Sequence, residues 1–216
     1  AVAPLRGYKF TASEGGLRVP LIIAWPGNPA IRAGTISNAF THVTDVAPTL
    51  LRLAGLTPQE GQFNGRTVEP MRGQNLSPLL TGNGTSVHPA DAPLGYELSG
   101  NAVLFRGDYK LVKNLPPYGD GQWHLFDIAT DPGETTDLSA KETARFVEMQ
   151  AQYADYAKAD RVLPMPDGYT APKQIRDNAI KELLVPRLLK LAPYALAILF
   201  AIGGLVMWRR RRKRAA

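Results

Sequence analysis

The 216-residue chain has no cysteine, which excludes a disulfide, a thiolate metal site and a cysteine nucleophile. Histidine is scarce as well. His42, His88 and His124 are far apart and show no metal-ligand spacing. There is no Ser/His/Asp elbow, no phosphate-cradling glycine loop and no carboxylate cluster, so no complete catalytic centre lies in this stretch. A spread basic face is lacking too. The net charge is +6, and the six cations at 209–214 account for all of it. The remainder holds 19 Lys and Arg against 19 Asp and Glu, so nucleic acid is not an expected partner. The chain opens Ala1-Val2-Ala3-Pro4 without Met, which reads as a piece of something longer or a processed product.

What is present is clearest near the C-terminus. Residues 191–208, LAPYALAILFAIGGLVMW, carry no charge. At about 1.5 Å per residue they span roughly 27 Å, close to the ~30 Å hydrocarbon core of a bilayer. Leu188 and Leu189 can lengthen the span, with Lys190 snorkelling. Trp208 sits where an interfacial aromatic is expected, and the cations follow at once. A soluble helix rarely stays apolar all round for this length, and the charges are not interleaved as on a surface-lying helix. The expectation is a single transmembrane helix at 188–208. The basic tail, 209–216, would then be cytoplasmic and everything before it periplasmic or extracellular.

Before the anchor, residues 19–25 (VPLIIAW) are apolar on both faces and read as a buried strand of an α/β sheet. Asp45 can N-cap a helix that Gly55 ends, with Val46, Leu50 and Leu53 on one face. Residues 56–93 read as loops with a helical turn near 76–80. Then Ala102 to Phe105 and Tyr109 to Lys113 flank Arg106-Gly107-Asp108, a hairpin turn that also spells an adhesion tripeptide. Trp123 to Ile128 makes a third strand. Ser139-Ala140-Lys141-Glu142 has the form of a capping box, and Phe146, Met149, Tyr153 and Tyr156 recur at helical spacing. The expected segments are 1–93 (α/β), 94–160 (a small α+β module), 161–187 (a polar tether), the span and the tail. Asn83-Gly84-Thr85 reads as a plain turn. His42 precedes a helix start and can orient it. His124 lies in a strand and reads as structural. Each histidine also stands as a possible substrate contact.

One residue is placed for chemistry. Lys9 precedes a Gly-rich turn that feeds an apolar strand, where α/β folds place ligand contacts. Its ammonium is a compact point charge that can meet one oxygen of an anionic ester, although a loop lysine is more often simply solvated.

The stretch KFTASEGGLRVP at 9–20 closely resembles the K-x-x-x-x-E/Q-G-G-x-R-V/E-P signature of the sulfatase family, within the alkaline-phosphatase-like superfamily. The likeness continues in order through WPG at 25–27, TDVAPTL at 44–50, GYEL at 95–98, RGDYKL at 106–111, LFDI at 125–128, DPGE at 131–134 and Asp137-Leu138. It covers roughly residues 7–160 and looks most like bacterial arylsulfatases. The fold it implies is α/β. The end of an alkaline-phosphatase-like α/β sheet domain would be followed by a small antiparallel sheet plus helix, then the transmembrane helix.

The activity it implies is hydrolysis of sulfate esters to sulfate and an alcohol or phenol, on a small molecule or a sulfated glycan. The family's formylglycine nucleophile and calcium ligands belong to an N-terminal part not present here, so this chain is expected to be inactive alone. By position, Lys9 is the catalytic and substrate-binding lysine that contacts the sulfate, while no metal ligand is expected. Glu14, Gly15 and Gly16 would shape the turn, and Arg18 would make a buried ion pair. Asn101 stands where many relatives have a basic residue. Two other readings remain: a phosphate or phosphonate ester hydrolase on the same scaffold, and a truncated, membrane-tethered module without catalysis.

Overall fold

The computed structural model describes residues 4–31, 34–57 and 61–214. The outermost residues of the expected first segment and of the tail, 1–3 and 215–216, lie outside them. The chain divides into two units, one through Leu163 and one from Pro164.

In chain order the first unit holds a one-turn helix α1 (Glu14–Leu17), a 3-10 turn (Val43–Asp45) that runs into α2 (Val46–Leu53), the short strands β1 (Gln62–Phe63) and β2 (Arg66–Thr67), and the turn α3 (Ser77–Leu80). Four strands follow: β3 (Leu94–Leu98), β4 (Asn101–Arg106), β5 (Tyr109–Lys113) and β6 (Trp123–Asp127). Helix α4 (Thr143–Ala159) closes the unit. The four strands form one antiparallel meander, β3-β4-β5-β6. Register explains its two cores, since side chains alternate faces along a strand. Leu104 pairs with Leu111, and Leu111 with Leu125. These three pack with Met149 of α4. On the other face Val103, Phe105, Val112 and Phe126 pack with Ala12, and Phe40 and Leu17 lean on them. The sheet is therefore covered on both sides, and β4 is buried almost throughout.

The mixed α/β character, the hairpin about Gly107, the turn near 76–80 and the helix carrying Met149 agree with the sequence reading. Four details differ. Residues 19–25 form no strand. They are exposed, Ile22 at 87%, and among the described residues no strand lies beside them to complete a ladder. Asp45 makes no side-chain cap on α2, because its carboxylate is taken by other partners. The capping box at 139–142 does not form. Glu142 is itself the residue before α4, and its carboxylate accepts from Arg145 Nε (2.7 Å) and Tyr109 Oη (3.3 Å). Finally, the small β1/β2 hairpin lies in a stretch read as loops, and β3 adds a fourth strand to the α+β module where three were expected.

The second unit is helical. α5 (Ala171–Ala179) starts with Pro172 in its first turn and continues through a π turn (Ile180–Leu184) into α6 (Val185–Arg214). The latter half of the expected tether is thus helix. Its polar surface, with a Lys173–Asp177 pair at 3.1 Å one turn apart, obscured the period. The helical run Ala171–Lys213 is long and apolar enough to cross a membrane.

Candidate functional site

Lys9 lies in a tight reversal just before α1. Thr11 closes the reversal by donating its N–H to the Tyr8 carbonyl at 3.1 Å and its hydroxyl to the same oxygen at 2.8 Å. The backbone turns left-handed at Gly7 (φ 76°) and again at Phe10 (φ 77°). A left-handed aromatic is strained, by roughly 1–3 kcal/mol, and persists only where neighbours fix it. Asn101 supplies that constraint from β4: buried, it donates Nδ2–H to the Phe10 carbonyl at 2.8 Å and accepts Leu115 N–H at 2.7 Å. Asn114 accepts Ala12 N–H at 2.7 Å. Asn101, where many relatives have a basic residue, is thus a clamp for the Lys9 turn.

The paired glycines are required by close approach. A Cβ on Gly15 would stand 2.5 Å from the carbonyl oxygens of Arg6 and Gly7, and one on Gly16 would collide with the Thr11 carbonyl. Beneath them, Glu14 reaches a fully buried lysine. Lys110 Nζ stands 2.9 Å from Glu14 Oε1 and 2.9 Å from Glu134 Oε1, and Glu134 Oε2 accepts Glu14 N–H at 3.0 Å. Arg18, expected to be the buried partner, is not. Its side chain is 52% exposed and only 3.8 Å from Glu14 Oε2. A guanidinium on the residue after α1 points outward, while Lys110 comes from beneath, opposite Phe105 and Phe126 in the sheet.

Lys9 itself is exposed, with Nζ 5.5 Å from the centre of the Phe10 ring. Among the described residues no carboxylate pairs with it. A free ammonium therefore projects from a rigidly held turn. Tyr8 meets Tyr118 edge-on at 6.0 Å, at one side of a cavity of about 150 Å³ lined by Arg6, Ser13, Asn114, Tyr118 and His124. His124 faces a carboxylate at each ring nitrogen, Nδ1 to Asp137 at 2.7 Å and Nε2 to Asp120 at 3.1 Å. Burial disfavours its charged form, but the hydrogen bonds to Asp137 and Asp120 outweigh it and raise its pKa.

The other two histidines meet at a site the sequence did not reveal. Asp45, fully buried, accepts His42 N–H (2.7 Å) and Gln74 N–H (2.7 Å), and its Oδ2 lies 2.7 Å from His88 Nε2. His42 Nδ1 pairs with Thr44 Oγ1 at 2.8 Å and caps the 3-10 turn, the orienting role expected of it. This staple joins three segments and leaves its carboxylate saturated. A signal existed in Thr44-Asp45, but its partners lie up to 43 positions away.

The residues described do not fit calcium or a formylglycine. No group of three or more His, Asp or Glu side chains that could hold a metal gathers among them, and the sequence has neither a cysteine nor a serine in an S-x-P-S/A-R motif from which a formylglycine could be made. What the site can do is present one cation on a fixed backbone.

The family described as "N-sulphoglucosamine sulphohydrolase, C-terminal" matches residues 8–159. An uncharacterised sulfatase of Schizosaccharomyces pombe is 33% identical over 172 residues, covering 79% of this chain and 30% of that protein. Mouse steryl-sulfatase is 29% identical, covering 79% and 30%. The N-acetylglucosamine-6-O-sulfatase of Bacteroides thetaiotaomicron is 29% identical, covering 74% and 26%. The crystal structure of Ps i-CgsB superposes with a TM-score of 0.58 at 26% identity, over 72% of this chain and 32% of that one. This chain thus spans about 30% of the length of the sulfatases of S. pombe and mouse that it matches.

Proposed function

Because this chain belongs to the sulfatase family and corresponds to its C-terminal portion, we propose that it completes a membrane-anchored arylsulfatase that hydrolyses sulfate esters. The observation that carries the reading is the free ammonium of Lys9 on a turn clamped by Asn101, Asn114 and Glu14. Lys9 would bind a non-bridging oxygen of the sulfate and stabilise charge that develops near the leaving oxygen. Preorganised charge is effective because it needs no rearrangement during the reaction. The clamp performs that preorganisation, since a lysine on a loose loop would lose the advantage to its own motion.

The nucleophile and the metal would come from the rest of the enzyme. The substrate class is a sulfate-ester small molecule or a sulfated glycan. By their names, the relatives include a steryl-sulfatase and an N-acetylglucosamine-6-O-sulfatase, and Ps i-CgsB has also been crystallised with k-i-k-neocarrahexaose. α6 would cross the bilayer over 188–208. The sulfatase part would face the periplasm or exterior and the basic tail the cytoplasm, as the excess of cations after Trp208 favours.

The test is Lys9→Ala in the complete enzyme, assayed on an aryl sulfate beside the matching aryl phosphate. A fall in kcat/KM of about 100-fold or more on the sulfate is expected, the usual scale for one charge-stabilising contact. Unchanged kinetics would remove Lys9 from the site. A preference for the phosphate would move the enzyme to phosphoester hydrolysis.

A further inference from the structure

After Glu182 the chain contains no acidic residue. It carries Arg187 and Lys190 before the apolar run and six consecutive cations, 209–214, after it. The ion pairs of this unit, Lys173–Asp177 and Arg176–Asp177, both lie in α5. Among the described residues, the cations at 209–213 are exposed and have no carboxylate partner. No acidic side chain after Glu182 stands beside them in the sequence to balance their charge.

The shape of the cluster restricts what can supply it. α6 remains helical through Arg214. Successive residues on a helix are rotated by about 100°, so five of them go more than once around the axis. The charges form a collar, not a stripe. A groove on a protein or a nucleic acid that reads one helix face would meet only one or two of them. A charged plane crossed by the helix meets them all. Lys190 and Arg209 are separated by roughly 28 Å of helix, close to the ~30 Å of a hydrocarbon core. The collar thus lies at headgroup depth. Trp208 is one residue inside it, with the Arg212 guanidinium 4.4 Å from its ring centre, so the indole is held where interfacial aromatics sit.

We propose that residues 208–213 form a headgroup site selective for anionic phospholipids, in the leaflet where α6 ends. The arginines would meet lipid phosphates through a planar fork of two parallel N–H bonds, a geometry that an ammonium does not present. This inference rests on the reading that α6 spans a bilayer.

The test uses the full chain in nanodiscs made from equal amounts of phosphatidylcholine and phosphatidylglycerol. Gentle detergent extraction follows, and the lipids that stay bound are counted by mass spectrometry. Phosphatidylglycerol should be enriched about fivefold or more among them, given the attraction each basic residue exerts at an anionic surface. The enrichment should vanish in a variant carrying Arg209→Gln, Arg210→Gln, Arg211→Gln and Arg212→Gln, and survive in Arg187→Gln with Lys190→Gln. Equal retention of the two lipids, or enrichment that persists in the four-fold variant, overturns the site. So does tight binding of poly-glutamate by chains that show no lipid selection. A chain that alkaline carbonate washes off the discs fails at the earlier step, and the span falls together with the site.

Discussion

Lys110 is the residue whose surroundings are least like its chemical type. Its ammonium is fully buried, between two carboxylates that are nearly as buried, and 5.4 Å above the Phe105 ring. A buried ion is tolerated only when its desolvation is offset by close opposite charge, and removing one partner strands the other. Lys110→Met should therefore destabilise the chain by about 3–5 kcal/mol, because Glu14 and Glu134 would face each other without a cation. Thermal unfolding in detergent measures this. Adding Glu14→Gln and Glu134→Gln should recover part of the loss, whereas no recovery would mean that packing, not charge, sets the cost. The sequence could not show this triad. β5 reads Tyr109-Lys110-Leu111-Val112-Lys113, apolar enough on both faces that alternation does not say which side Lys110 joins, and Glu14 is 96 positions away. The turn that carries Lys9 was legible because the residues that shape it are contiguous. Its clamp was not, because Asn101 and Asn114 reach it across the sheet.

His124 gives a second prediction at this scale. Its pKa is raised above the ordinary 6.5 by Asp137 and Asp120 against the opposing effect of burial. Asp120 is held below its ordinary 3.8 by the Gln122 N–H and by His124. Asp137 is also lowered, since its bonds to Ser139 N–H and His124 outweigh burial. A raised imidazolium contributes stability that is complete below its unfolded value and is lost as pH rises through the folded one. The lowered carboxylates contribute above their unfolded value and lose that contribution as pH falls through the folded one. The cluster should thus matter most between about pH 4.5 and 6.5. The Tm deficit of His124→Gln should be larger at pH 5.5 than at pH 8.5. A deficit that grows toward pH 8.5 contradicts the assignment.

Among elements, the sheet and α4 depend on two contacts of opposite kind. Met149 fills the space over Leu104, Leu111 and Leu125 and is itself fully buried. Met149→Ala leaves a cavity there and should cost about 2–5 kcal/mol, read by chemical denaturation. Gly95 in β3 has no space to spare, since a Cβ would run into the Tyr156 ring. Gly95→Ala must move that ring and should cost about 1–3 kcal/mol, with a loss of near-ultraviolet tyrosine signal. The hairpin and α4 could be read from the sequence because turn residues and helical period coincide with their limits. β3 escaped because its residues are only half buried and two of the seven positions 94–100, Gly95 and Gly100, are glycine. The helix start was misplaced because a Ser-x-x-Glu pattern fixes a cap only when the Glu carboxylate and the Ser N–H it would accept from are both free. Here Asp137 occupies Ser139 N–H at 2.8 Å, and Arg145 occupies Glu142.

For the whole molecule, the contrast is between a sheet buried on both faces and an apolar stretch that is not buried at all. Residues 103–105, 111, 112, 125 and 126 are in the core, while Val19, Ile22 and Trp25 are exposed. The apolar composition of 19–25 is what a buried strand would carry, but here the segment is exposed and forms no strand. Whether a strand forms depends on a neighbouring backbone, a property the segment's own residues do not carry. Amide exchange separates the two conditions. In this 216-residue chain the amides of 19–25 should exchange orders of magnitude faster than those of Val103, Leu104 and Leu111, whose ladder opens only with the unit as a whole. In the complete sulfatase the same amides should become protected if the remaining part of the enzyme supplies a paired strand. Protection of 19–25 already present in this chain would mean that it pairs with a second copy, because an exposed apolar edge is a template for association. Dilution distinguishes that case, since protection that depends on a partner copy fades as concentration falls, whereas protection from within one chain does not.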